Sequence, residues 1–250
     1  MQIAPQTKAN EIIAELNEIR DKGHYLAKDQ FVWKKLEREI NQVKKIDPMT
    51  GWILSGMACS VAGDYNGVDY CFRNAFNLHP DTESCINMMT TYASLGLRTK
   101  VAELYRIFGN PENGYFSSTI HYGLGSGAFQ KTAENINIAL KMGLEMNGLS
   151  EIIETARSAA EILSRHNISD EVIAKHLDVA GQIFRDLNKF DLSLPQILVE
   201  KESRDIVLFE LRVSCSPSEL FFFNVALAKK EEEFCIIKNP VFDVVFSVKR

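Results

Sequence analysis

The 250-residue chain holds no stretch approaching the ~20 consecutive apolar residues that a membrane span requires. Its longest apolar runs, such as Leu220-Phe221-Phe222-Phe223, are strand-sized. Met1 to Arg20 carries charges throughout and contains no apolar run of signal-peptide length. Cysteine is sparse: Cys59, Cys71, Cys85, Cys215 and Cys235 are odd in number and form no Cys-x-x-Cys pair. With no export signal, the expectation is reduced thiols in a cytoplasmic protein. An excess of either charge is also lacking. A net charge of −5 speaks against general nucleic-acid binding, which needs a strong positive excess to neutralise phosphates. Hydrophobic and charged contents of 46 % and 24 % exclude wholesale disorder.

Signatures of chemistry are equally scarce. The histidines His24, His79, His121, His166 and His176 form no i, i+4 pair of the helical zinc type. Structural roles are expected for all of them. Gly123-Leu124-Gly125-Ser126-Gly127 has neither the Gly-Lys-Ser/Thr ending of a triphosphate loop nor the strand and downstream acid of a dinucleotide site. Cys59, Cys71 and Cys85 fall on apolar helix positions and read as small hydrophobes rather than nucleophiles. Acidic and basic residues are interspersed, as in Lys34-Lys35 beside Glu37-Arg38-Glu39, so they read as a solvated face. The expectation is no catalytic residue, no cofactor and no metal.

What is present is periodicity. From Trp52, a glycine follows at Gly56, then Gly63-Asp64-Tyr65, then Phe72, Ala75 and Pro80. Gly63 suits a helix stop, Asp64 the cap of the next helix, and Pro80 forbids continuation. Gly56, Val68 and Ala75 would let two antiparallel helices approach, with Trp52 and Phe72 filling the remaining space. This stretch resembles the 34-residue tetratricopeptide repeat, whose pattern is Trp-x2-Leu-Gly-x2-Tyr, Ala-x3-Phe, a second Ala and a closing Pro. Ser55, Cys59 and Val68 stand in place of its Leu, Tyr and first Ala. Weaker copies follow: Cys85, Tyr92, Gly96, Val101, Tyr105 and Phe108, then Phe116, Gly127, Phe129, Thr132, Ile136 and Ala139. Upstream, Glu11 to Lys45 reads as a degenerate hairpin ending before Asp47-Pro48. Ser150 to Lys189 carries two further helical stripes without the signature, a natural cap for an open stack.

After Leu194-Pro195 the pattern changes to strands and turns. Val207, Phe209, Leu211 and Val213 alternate within Asp205–Ser214. Leu220–Ala228, Glu233–Lys238 and Phe242–Val248 read as three more strands of an antiparallel meander packed on the last helices. The expected fold is therefore α+β, a stack of helical hairpins over residues 1–190 followed by a small antiparallel sheet over 191–250.

The resemblance implies a protein–protein interaction role, with a concave groove lined by the first helix of each hairpin. Carrying the register over gives Thr50, Ile53 and Met57, then Ile86, Asn87 and Thr90, then Ser117 and His121 as partner-binding positions. This set is apolar to weakly polar, which makes the expected groove an apolar one, and it lacks the Lys and Arg with which chaperone-binding members hold a C-terminal carboxylate. An adaptor or chaperone-like protein binding another protein or a peptide is the leading expectation, with no nucleic acid and no membrane. A sheet edge at Asp205–Ser214 or Phe242–Val248 is a second candidate surface, and the Leu220–Phe223 run raises homodimerisation. Two rival readings remain: a regulator of the antitoxin, immunity or secretion-chaperone kind that masks one partner, and an enzyme with a site around His166, His176, Glu210 or Asp243.

Overall fold

The computed structural model describes residues 5–201 and 204–249. Among them are eleven α-helices, a 3-10 turn at Pro111–Asn113 and three strands. The helices are α1 (Pro5–Asp21), α2 (Phe31–Ile46), α3 (Pro48–Val61), α4 (Tyr65–Phe76), α5 (Thr82–Ser94), α6 (Arg98–Phe108), α7 (Phe116–Gly125), α8 (Phe129–Lys141), α9 (Ser150–Arg165), α10 (Asp170–Asp186) and α11 (Pro217–Glu233). The strands are β1 (Leu194–Glu200), β2 (Ile206–Val213) and β3 (Phe242–Val248). The chain forms two compact units. One comprises residues up to Leu95 with Phe184–Phe190, the other Gly96–Ile183 with residues from Asp191 onward.

In the first unit α3 is the central helix, packed against α1, α2, α4 and α5. Two glycines make this crowding possible. A Cβ at Gly51 would lie 2.3 Å from the Lys44 backbone on α2, and one at Gly56 would lie 2.2 Å from the Phe72 ring on α4. The contact between Gly56 and Phe72 is the close approach that their spacing implies. Three of its helices, α3, α4 and α5, each start on their own aspartate: Asp47 accepts from Thr50 N at 3.1 Å, Asp64 from Gly67 N at 2.9 Å and Asp81 from Ser84 N at 2.8 Å. Such caps satisfy N–H groups that a helix leaves unpaired. The Phe184–Phe190 segment joins this unit through Tyr25, whose hydroxyl donates to Lys189 O at 3.1 Å and whose ring meets Phe190 edge-on at 4.9 Å.

The second unit is built differently. Its helices α6 and α8 start at Leu97 and Ala128, which offer no side-chain cap. Their orphan N–H groups are taken by α10 instead. Asp178 accepts from Thr99 N at 3.0 Å, and Asp170 accepts from Gln130 N and Lys131 N, both at 3.0 Å. Arg98 and Asp191 form a buried ion pair at 2.5 Å, and Asp191 also holds Ser193 N at 3.1 Å. α8 packs between α7 and α9, α9 lies on β1 and β2, and α11 lies on β3.

The C-terminal sheet corrects the expected meander. Its order is β1-β2-β3, with β1 and β2 antiparallel but β2 and β3 parallel. Leu220–Ala228 is not a strand: it lies within α11, opened by a capping box between Ser216 and Glu219 with Pro217 in the first turn. Because α11 carries the chain from one end of the sheet to the other, the next strand must run parallel. Glu233–Lys238 is not a strand either; α11 ends there and Cys235 adopts φ 52°. The alternation read in β2 is observed, with Val207, Phe209, Leu211 and Val213 buried. β2 is central, so the expected edge at Asp205–Ser214 is paired on both sides. β3 is an edge, but the Asn224 side chain plugs it at Phe246, donating to its carbonyl and accepting from its N–H, each at 3.0 Å.

Candidate functional site

α1, α3 and α5 form a groove in the first unit that is lined by polar and apolar side chains alike, rather than by the expected apolar set. It consists of two depressions of about 240 and 230 Å³ that share Ile13 and Asn87. Each is smaller than the usual ~300–1,000 Å³ small-molecule pocket, and matches side chains better than a whole ligand. One depression is lined by Thr50, Ile53 and Asn87 among others, the second by Met57, Asn87 and Thr90. Ile86 is half-buried beside them and lines neither. Ser117 and His121 are exposed on α7, in the second unit.

The lining hydroxyls are engaged by their own helices. Thr90 donates to Ile86 O and Thr91 to Asn87 O, both at 2.8 Å, while Ser60 donates to Met57 O at 2.7 Å. Such back-bonding occupies the hydroxyl donors. Polar recognition then falls to the amides of Asn17 and Asn87 and to charges at the two ends. Arg20 lines one depression; Asp47, Asp81 and Glu83 line the other. Neither depression is lined by a His, Cys or Lys. Sequence reasoning missed the α1 contribution of Ile13, Asn17 and Arg20. The signal was available, since α1 occupies the first-helix position of the upstream hairpin, and Arg20 supplies a cation that the α3, α5 and α7 positions lack.

A second cluster lies in the second unit. His176 of α10 and Glu231 of α11 are both 3 % exposed, and His176 Nε2 meets Glu231 Oε1 at 2.5 Å. Lys238 Nζ reaches Glu231 Oε2 at 2.7 Å and Asp243 Oδ1 at 3.1 Å. The Phe242 ring closes the site edge-on against His176 at 5.5 Å. Burial pulls the Glu231 carboxyl upward, but the His176 and Lys238 contacts outweigh it and hold the group below the ordinary glutamate range. Burial would lower Lys238, yet its two carboxylate partners raise it. Of the four residues that the enzyme reading named, the structure brings His176 and Asp243 together. His166 pairs instead with Asp205 at 3.0 Å, and Glu210 lies beside the Ser247 hydroxyl at 3.4 Å. Glu231 was hidden because Lys229–Glu232 reads as a charged turn; only helical spacing from Phe223 and Leu227 reveals it as inward-facing.

Two other features bear on the sequence reading. The Cys59 and Cys71 thiols on α3 and α4 contact each other, and burial raises Cys85 to about 12. Of the aromatic run, Phe223 is buried and rests on Phe246 at 5.2 Å, whereas Phe221 and Phe222 are exposed on α11. Among the described residues, no helix is long and apolar enough to cross a membrane. No protein-family model, curated protein or solved structure matches this chain.

Proposed function

We propose that this is a non-catalytic interaction protein of tetratricopeptide-like design, which takes an extended segment of a partner protein along the groove of α1, α3 and α5. The observation that carries this reading is the lining itself: three neighbouring helices present small, back-bonded side chains with Asn87 at the junction of both depressions. Amides of this kind pair with the main chain of an extended segment, while Ile13, Ile53 and Met57 meet its apolar side chains. The end charges set a direction. A basic residue of the partner belongs beside Asp81 and Glu83, and an acidic one beside Arg20.

The test is selection of a random dodecapeptide library on the full chain. Selected peptides are expected to carry a basic and an acidic residue at opposite ends. They should lose at least tenfold in affinity on Asn87→Arg, while Ser117→Glu and His121→Glu leave binding unchanged. Peptides that bind Asn87→Arg as well as the wild type would reject the groove.

A further inference from the structure

We propose that His176, Glu231 and Asp243 form a binding site for a single transition-metal dication, which enters by displacing the Lys238 ammonium. The site is independent of the groove and belongs to the other compact unit. One donor atom from each of the three side chains lies within 4.8 Å of the other two. They arrive from three separate elements, α10, α11 and β3. One imidazole nitrogen and two carboxylate oxygens make a donor set suited to zinc and its first-row neighbours. Three protein ligands leave a coordination position for water, as in open zinc sites. Around one tetrahedral ion, donors at zinc–ligand distances stand about 3.4 Å apart. Reaching that spacing requires the His176–Glu231 contact of 2.5 Å to open by about an ångström.

Charge explains both the present state and the exchange. Two carboxylates sit beside an imidazole, and Glu231 is almost wholly enclosed. A buried carboxylate needs a compensating charge, and the ammonium of Lys238 provides it. Lys238 comes from the connection between α11 and β3, and its side chain is 56 % exposed. It can therefore withdraw into water along its own stem without unpacking the core. A dication in its place delivers twice the charge and coordinates the His176 Nε2 lone pair, displacing to solvent the proton that Nε2 shares with Glu231. Asp243, half-buried at the mouth, is the ligand on the solvent side. Its Oδ1 already accepts the Val244 N–H at 2.9 Å, which holds the carboxylate in place for an incoming ion.

The experiment uses the full chain, stripped with a chelator and titrated with Zn²⁺ by calorimetry and with Co²⁺ by visible absorption. The wild type is expected to bind one equivalent, with Co²⁺ absorption reporting nitrogen–oxygen coordination. Lys238→Met removes the competing cation and should tighten binding at least tenfold. Asp243→Asn, at the exposed mouth where folding is least at risk, should weaken it at least a hundredfold with an unchanged circular dichroism spectrum. Absence of stoichiometric binding in the wild type, no tightening in Lys238→Met, or undiminished binding in Asp243→Asn would each overturn the proposal and leave the cluster a plain ion-pair network.

Discussion

Three helices of the first compact unit and two of the second solve the same problem, the unpaired N–H groups at helix starts, in opposite ways. In the first, Asp47, Asp64 and Asp81 each cap the helix that immediately follows. In the second, α6 and α8 borrow their caps from Asp178 and Asp170, which lie 79 and 40 residues further along the chain on α10. These three helix starts of the first unit are therefore locally specified, and α1, α3 and α5 leave a groove between them. The second is tied together by long-range polar contacts, including Arg98–Asp191 and the His176–Glu231–Lys238–Asp243 cluster. A region wired in this way is costly to disturb and offers buried charge for chemistry; the locally built region offers surface.

The largest effect expected from this contrast comes from Asp191→Ala. It strands the Arg98 guanidinium, whose side chain is 7 % exposed, and breaking such a pair costs about 3–5 kcal/mol. The two tryptophans, Trp33 and Trp52, both belong to the first unit, so their fluorescence reports on that unit while far-ultraviolet dichroism reports on all helices. In urea, the dichroism midpoint should fall further than the fluorescence midpoint. Equal shifts would break the contrast by showing that both units unfold as one.

Next come the caps. Asp64→Ala and Asp170→Ala should each cost about 1–2 kcal/mol, but in different places. Hydrogen exchange should quicken in α4 for the first, directly after the altered residue. For the second it should quicken at the start of α8, some 40 residues away. Exchange that changes only within α10 in Asp170→Ala would remove the borrowed-cap account.

A smaller effect concerns pH. Burial raises the Asp170 carboxyl above the ordinary aspartate value, against the opposing pull of the Gln130 and Lys131 N–H groups. The folded chain thus holds this proton more tightly than the unfolded one. Its contribution to stability is complete below the unfolded value of about 4 and declines as pH rises through the folded value. Relative to Asp170→Asn, which cannot titrate, the wild type should lose stability as pH rises from about 4 across the weakly acidic range. A stability difference that is flat with pH would contradict this assignment.

The same contrast explains what could be read from the amino-acid order. The helices from Pro48 to Phe76 were legible because their stops and starts are local: Asp47 before Pro48, and Gly63 before Asp64. The α11 segment was misread although Ser216-Pro217-Ser218-Glu219 spells a helix start, because the run of phenylalanines has no helical periodicity of its own. That one error turned a strand–helix–strand crossover into a meander and made β3 antiparallel instead of parallel. Thr50, Ile53, Met57, Asn87 and Thr90 of the depressions are among the positions that the expected register names, whereas Ile13, Asn17 and Arg20 of α1 are not. The meeting of His176, Glu231 and Asp243 leaves no local trace, since it depends on how α10, α11 and β3 are brought together.

The claim that matters most is that the groove of α1, α3 and α5 is where a partner lies. Hydrogen exchange on the full chain, with and without a peptide selected from the library, addresses it directly. Slowed exchange should be confined to residues 9–20, 48–61 and 81–94, leaving 206–248 unchanged. Protection that falls on β2, α11 or β3 instead would contradict the account.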